Sequence, residues 1–305
     1  MNTPPRPADE SLDGAVTAFL RIRPRLFGIA YRILGSVAEA EDVVQDAWLR
    51  WQSTDRSVVQ DSDAFLVRTA SRLAINVAQS ARVRREAYVG PWLPEPVDTG
   101  IDPQVGAERG EALELAVLLL LEKLKPVERA AYVLREAFDY PYGRIADILR
   151  LSPANARQIV NRARKHLLTE RRESVGTAEH RRLLEAFVAA AQTGDVGALE
   201  EILSADVVAY ADGNGMRGVA QVEVTGAGRV ARISAFSQKF IAGAEYQMVE
   251  ANGLPALLIT RNGATAALVL ASAGPDGIDR VYWIVTPDKL RAYERSSKRS
   301  ALPMP

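Results

Sequence analysis

The sequence predicts a multidomain chain, two all-α domains followed by an α+β domain, and three observations carry that prediction. Apolar residues recur at three- and four-residue spacing through residues 13–88 and again through 108–172. Those two stretches are separated by a break rich in Pro, Gly and acid. After Ser174-Val175-Gly176 the pattern turns to short runs of Val, Ile, Ala and Thr bounded by Gly-Asn, Asn-Gly and Pro-Asp-Gly. With 305 residues, 48% hydrophobic and 25% charged, the composition is that of a folded globular protein with ample core.

In the first domain Phe19, Ile22, Leu26, Ile29, Ala30, Ile33 and Leu34 fall on one helical stripe. The helix from Ala40 to Trp51 carries two stripes. Val43, Val44, Ala47, Trp48 and Trp51 read as core, while Asp42, Gln45, Asp46 and Leu49 mix acids with a leucine on the opposite side. A solvated face accounts for the acids and not for the leucine, so the mixture reads as a surface for a partner helix.

The break falls at Pro94, Pro96, Gly100 and Pro103, where extended X-Pro geometry favours a linker. The expected boundaries are 1–94, a linker at 95–107, a second helical domain at 108–172 and the α+β domain at 177–295. Within the second domain Pro141 to Leu149 makes a short helix with Ile145, Ala146, Ile148 and Leu149 inward. Ser152 is a suitable N-cap and Pro153 a suitable first helical residue, so a further helix starts there. Its apolar stripe is Ala156, Ile159, Val160, Ala163 and Leu167, and its other face presents Asn155, Arg157, Gln158, Asn161, Arg162, Arg164 and Lys165. These side-chain types read major-groove base edges and clamp phosphates, and the turn sits where a helix-turn-helix needs it. The alternative is a helical hairpin with a basic, solvated back. In the third domain two helices (about 178–193 and 195–203) precede strands at 207–211, 256–260, 264–271 and 278–285.

Charge is neutral in total, with 38 Lys+Arg against 38 Asp+Glu, yet it is unevenly placed. Arg68, Arg72, Arg82, Arg84 and Arg85 face no acid between Ala64 and Arg85; the stretch from Glu95 to Glu114 is acidic; and the stretch from Arg144 to Arg172 is basic again. Either these are solvated helix faces, or two basic faces flanking an acidic linker make two contacts with one polyanion. The absence of cysteine excludes disulfides, thiolate metal sites and a cysteine nucleophile, and His166 and His180 alone cannot build a histidine-rich metal site. No cofactor is expected. The N-terminal residues lack the pattern of a signal peptide, and the longest apolar run, Leu115 to Leu121, is far short of the roughly 20 residues of a membrane helix. A soluble, cytoplasmic protein without membrane contact is the expectation.

The segment Ala40-Glu41-Asp42-Val43-Val44-Gln45-Asp46-Ala47-Trp48-Leu49-Arg50-Trp51 closely resembles the core-binding helix of bacterial sigma-70 factors of the extracytoplasmic-function (ECF) type. Residues 141–168 resemble their region 4 helix-turn-helix. Tyr88-Val89-Gly90-Pro91-Trp92-Leu93-Pro94-Glu95-Pro96 is similar to the linker signature of the SigJ-like (ECF41) group, which carries a fused SnoaL/NTF2-like domain. Two further signatures of that group, Asp-Gly-Gly-Gly and Asn-Pro-Asp-Lys-Leu, stand here as Asp212-Gly213-Asn214-Gly215 and Thr286-Pro287-Asp288-Lys289-Leu290. Asn214 replaces a glycine, Thr286 an asparagine, and Asn76-Val77-Ala78 stands where a charged stretch is usual.

The resemblance implies a non-enzymatic subunit that gives core RNA polymerase its promoter specificity. Asp42, Gln45, Asp46 and Leu49 would dock on the clamp helices of the largest polymerase subunit. Arg68, Arg72, Asn76, Arg82, Arg84 and Arg85 would hold the −10 element. Ser152, Asn155, Arg157, Gln158, Asn161, Arg162, Arg164 and Lys165 would contact the −35 element. Trp92, Leu93 and Pro94 would dock against the strand-end loops 212–215 and 286–290, so that the third domain regulates in cis and no separate anti-sigma factor is needed. A catalytic reading makes Asp212 a general base in a pocket lined by Tyr210, Tyr282 and Trp283; regulation is preferred, because an Asp before Gly-Asn-Gly is a common turn residue. A function of another class is a one-component DNA-binding regulator whose SnoaL-like domain binds a small molecule, but such a regulator has no need of the Asp42-to-Trp51 surface.

Overall fold

A computed structural model describes residues 7–100, 114–168, 174–237 and 243–300, the side chains of 7–12, 82–84, 86 and 296–300 excepted. The chain is organised as two units, Met1–Arg84 with Leu120–Thr169, and Arg85–Leu119 with Glu170–Pro305.

The first unit is helical. α1 (Pro7–Leu34) buries every residue of the predicted stripe, from Phe19 to Leu34. It ends at Gly35, whose φ of 65° lets its N–H return to the Tyr31 carbonyl. The Ser36 hydroxyl then accepts from the Glu39 N–H and starts α2 (Val37–Ser53). α2 buries Ala40, Val43, Val44, Ala47 and Trp51, and the Trp51 indole donates to the Ala15 carbonyl at 3.1 Å. Trp48 departs from the predicted core stripe: it is half-buried, tilted against Phe19 at 4.9 Å, because it lies at the rim where α1 and α2 diverge. α3 (Ser62–Glu86) is started by Asp61, whose carboxylate accepts from the Ala64 N–H.

α4 (Leu115–Glu122) leads into α5 (Pro126–Glu136), α6 (Tyr142–Leu149) and α7 (Pro153–Leu168). The helix-turn-helix forms as its residues dictate. α6 buries Ile145, Ala146 and Ile148, with Leu149 half-buried, and Arg150 adopts φ 56° to turn the chain. The Ser152 hydroxyl accepts from the Asn155 N–H at 3.2 Å, and α7 buries the whole predicted stripe of Ala156, Ile159, Val160, Ala163 and Leu167.

The second unit is built on a six-stranded sheet. Its strands are β1 (Leu203–Asp212), β2 (Val224–Thr225), β3 (Glu245–Ala251), β4 (Leu254–Arg261), β5 (Ala264–Gly274) and β6 (Gly277–Ile284). The order is β2-β1-β6-β5-β4-β3, with β1 and β6 parallel and the remaining pairs antiparallel. α8 (Thr177–Thr193), α9 (Val196–Ile202) and α10 (Ala227–Ser237) supply Leu184, Phe187, Leu199 and Val230 to one face, where they meet Ile259, Val269 and Val281. The other face is covered by the linker and by α11 (Pro287–Ser300), through Leu93, Leu115, Leu290 and Tyr293 against Leu268, Leu270 and Tyr282. Burial on both faces explains why β4 and β5 read as near-continuous apolar runs rather than as alternating strands.

Candidate polymerase and DNA surfaces and the linker node

In α2 the residues expected to meet polymerase, Asp42, Gln45, Asp46 and Leu49, are all exposed, opposite the buried Val43–Ala47 face. Leu49 is 53% exposed and stands on the same stripe as the two exposed acids. Beside this stripe a cleft of about 360 Å³ opens between α1 and α2, lined by Phe19, Leu20, Val44, Gln45 and Trp48.

The outward face of α7 is equally open. Asn155, Arg157, Gln158, Asn161, Arg162 and Lys165 are exposed, and Arg164 is half-buried. Arg157 lies over the Tyr142 ring at 5.2 Å, which braces the guanidinium at the start of the helix. Arg162 and Arg164 pair with Glu128 and Glu136 of α5 at 2.8 and 2.6 Å, so the basic face is anchored to the helix behind it. On α3, Arg68 and Asn76 are exposed. Arg72 instead donates from Nε to the Ile148 carbonyl at 2.8 Å and from Nη2 to the Asp147 carbonyl at 3.1 Å. The side chains of Arg82 and Arg84 lie outside the described residues, as does the acidic stretch 101–113. Arg85 belongs to the second unit, where its guanidinium stacks on Trp92 at 3.6 Å.

The second unit brings the linker signature and both C-terminal signatures to one node. Asp212, at the end of β1, is 0% exposed. Its Oδ2 accepts from Lys289 Nζ at 2.5 Å and from the Leu93 N–H at 2.7 Å, and its Oδ1 accepts from the Tyr88 hydroxyl at 2.5 Å and from the Thr286 hydroxyl. Lys289 also donates to the Leu93 carbonyl, and its ammonium lies 4.5 Å from the Trp92 ring centroid and 5.5 Å from that of Tyr88. Leu93 itself is 0% exposed. Burial pulls the Lys289 ammonium down from the ordinary lysine range, and the adjacent Asp212 charge opposes that pull. Burial and the bond to Asp212 push the Tyr88 phenol up, so it remains a proton donor to the carboxylate.

Beyond the node the linker continues as an added edge of the sheet. Asn252 N–H donates to the Val97 carbonyl, Val97 N–H to the Asn252 side chain, Gly253 N–H to Thr99, and Asp98 bridges Ala251.

The expected docking of Trp92, Leu93 and Pro94 thus has a specific anchor, though its details differ from expectation. Pro287, Asp288, Lys289 and Leu290 form the first turn of α11 rather than a strand-end turn, with Pro287 at its first position. Only Lys289 and Leu290 are buried there; Pro287 and Asp288 face out, and Asp288 pairs with Arg291. Gly213 is buried, and Asn214 adopts φ 46°, a left-handed conformation that asparagine tolerates better than other side chains, which accounts for its standing in for glycine. Gly215, at φ 77°, packs so close to Val89 of the linker that a Cβ would lie 3.3 Å from it. Tyr88 and Thr286 lie within the sequence signatures, but no side-chain contact was expected of either. The Asp212 carboxylate, at 0% exposure, is thus turned to Lys289, Thr286 and the linker rather than to solvent.

No helix among the described residues is long and apolar enough to cross a membrane, and no group of residues there could hold a metal. Residues 18–86 match the sigma-70 region 2 family and residues 114–167 the sigma-70 region 4 family. Over 268 residues the chain is 37% identical to the ECF RNA polymerase sigma factor SigJ of Mycobacterium tuberculosis (strain ATCC 25618 / H37Rv), a match covering 86% of this chain and 83% of that one. Over 288 residues it is 31% identical to the probable ECF RNA polymerase sigma factor SigI of Mycobacterium tuberculosis (strain CDC 1551 / Oshkosh), covering 92% of this chain and 97% of that one. The crystal structure of the Mycobacterium tuberculosis SigJ protein is similar with a TM-score of 0.74 at 33% identity, over 90% of this chain and 98% of that chain. The likeness therefore extends through the α+β unit as well as the helical one.

Proposed function

The chain belongs to the ECF RNA polymerase sigma factors, and from that premise we propose how its surfaces divide the work. α2 docks on the clamp helices of the largest polymerase subunit through Asp42, Gln45, Asp46 and Leu49. α7 reads the −35 element, with Asn155, Arg157 and Gln158 near the helix start meeting bases and Arg164 and Lys165 meeting phosphates. α3 supports the −10 element. The second unit, by holding the linker on Asp212 and Lys289, controls initiation in cis and takes the place of a separate anti-sigma protein. The protein acts in the cytoplasm, where its polymerase is.

The observation that carries this reading is the exposed acid-and-leucine stripe of α2, set opposite a fully buried face and followed by a capped helix-turn-helix with an open basic side. A one-component repressor would need only the second of these. The test is a pull-down with purified core polymerase. Asp46→Arg should abolish retention while leaving the fold intact, because Asp46 is exposed; equal retention of both proteins would refute the α2 assignment. Control in cis is tested separately, in run-off transcription. Ending the chain after Gly176 should change transcript yield several-fold, whereas removing residues from Ser296 onward should have little effect. Unchanged yield from the shorter truncated chain would remove the regulatory role of the second unit.

A further inference from the structure

We infer that Tyr142 is a positioning residue for −35 recognition: its ring takes the face of the Arg157 guanidinium and fixes the direction in which that group turns its N–H edge. This rests on the assignment of α7 to the −35 element given above.

The arginines of α7 are held in two different ways. Arg162 and Arg164 donate N–H groups to the carboxylates of Glu128 and Glu136 on α5, at 2.8 and 2.6 Å. Arg157 is exposed and meets no carboxylate among the described residues; its guanidinium lies 5.2 Å from the centroid of the Tyr142 ring. The difference decides what each group can do. A guanidinium reads a base with the N–H groups of its edge, through two parallel hydrogen bonds in its own plane. A carboxylate competes for that edge, whereas an aromatic ring attracts the face and leaves the N–H groups free. Arg157 is therefore the arginine of α7 that is held in place without occupying a donor.

The ring is itself fixed. Tyr142 opens α6 directly after Pro141 and is half-buried, and one turn further on Ile145 and Ala146 anchor the helix in the core. Arg135 of α5 lies 5.2 Å from the same ring centroid, with Nη1 donating to the Tyr140 carbonyl at 3.2 Å and pairing with Asp139 at 3.6 Å. The Asp139 charge offsets that of Arg135, so two guanidinium groups can share one ring. The Tyr142 hydroxyl makes no hydrogen bond among the described residues, so the ring alone makes the contact to Arg157. An exposed arginine without such a brace is free to swing among its rotamers, and each one is lost when a base selects a single geometry. Unbraced, the same guanidinium would also turn to phosphates, which every sequence offers, so discrimination would fall further than affinity.

The test is run-off transcription by purified core polymerase with the full-length chain, on promoters varied one base pair at a time across the −35 element. The readout is the ratio of yields from the preferred and the other base pairs at each position. Tyr142→Ala should lower that ratio about two- to fivefold, the worth of an exposed cation–π contact, at the position that Arg157→Ala affects and at no other. Tyr142→Leu fills the site without a π-face and so protects the fold; it should behave like Tyr142→Ala. Tyr142→Phe keeps the ring and should keep the wild-type ratio. In an Arg157→Ala background Tyr142→Ala should add nothing to the loss of discrimination. Tyr142→Leu lowering yield equally on all promoters, or losing discrimination undiminished when Arg157 is already Ala, would show a merely structural role and overturn the proposal while leaving base reading by Arg157 in place. A uniform loss from Arg157→Ala itself would overturn that reading, and the role of Tyr142 with it.

Discussion

Replacing Lys289 by Met removes the ammonium from the node while keeping most of the apolar stem, and it leaves the Asp212 carboxylate at 0% exposure without its cation. Breaking one side of a buried ion pair costs about 3–5 kcal/mol, because the remaining charge stays desolvated. For a unit of this size each kcal/mol lowers Tm by about 2–4 °C, so a fall of roughly 6–20 °C is expected. Asp212→Asn removes the charge from the other side. In the Asp212→Asn/Lys289→Met double variant neither charge remains, and the loss should be smaller than the sum of the single losses by about 1–3 kcal/mol. Urea unfolding followed by tryptophan fluorescence measures all three variants, and Trp92, whose ring lies against both Arg85 and Lys289, reports on the node itself. A Lys289→Met loss under about 1 kcal/mol, or strictly additive losses, would show that the pair does not hold the linker.

Three further outcomes are expected. His180 is 3% exposed, and its Nε2 must carry the proton because its partner, the Ala271 carbonyl, only accepts. Burial lowers its pKa from about 6.5, so the unfolded chain binds the proton first as pH falls and stability drops below pH 6.5 by up to about 1.4 kcal/mol per pH unit; a wild-type minus His180→Gln difference that is flat from pH 7.5 to 5 would contradict this. Gly277 has φ 105° and an added Cβ would lie 2.3 Å from the Ile202 carbonyl oxygen, so Gly277→Ala should cost more than about 2 kcal/mol in the same urea assay, and a neutral effect would show that the β5–β6 turn is placed wrongly. Arg157→Ala or Gln158→Ala should relax discrimination at particular −35 positions by about 1–3 kcal/mol, whereas Lys165→Ala should weaken binding to all sequences and flatten its salt dependence; a uniform loss from Arg157→Ala would refute base readout by that residue.

Most of the helical unit was legible because its signals are local. The Phe19–Leu34 stripe, the Ser152 cap and the Pro153 start are each encoded within a turn or two, and each appears where its residues place it. Trp48 misled because a helix wheel shows which residues share a side but not which of them border a cleft, as Trp48 does beside Phe19. In the α+β unit, the strands buried on both faces were readable as apolar runs, while β3 was not. Its Glu245-Tyr246-Gln247-Met248-Val249-Glu250 is an edge strand with a wetter pattern, and the two residues of β2 carry too little pattern to read. α11 was hidden behind Thr286-Pro287-Asp288, which looks like a turn and is also a sound helix start. The node shows the same limit at longer range. Trp92, Leu93, Asp212 and Lys289 could be picked out by resemblance, but that one carboxylate joins Tyr88, Leu93, Thr286 and Lys289 is a relation across as many as 124 residues, and only folding reveals it. The Arg72 contact to α6 is of this kind too, since nothing in a basic run tells which arginine is turned to a backbone carbonyl instead of solvent.

The central claim is that this chain confers promoter-specific initiation on core RNA polymerase. Its most direct test is run-off transcription by purified core polymerase, with and without the full-length chain, on a library randomised across the −35 and −10 regions, with transcript start sites read by sequencing. Adding the chain should create start sites downstream of one recurring pair of elements at a fixed spacing, and Arg157→Ala should degrade the upstream element alone. Start sites identical to those of core polymerase by itself would contradict it.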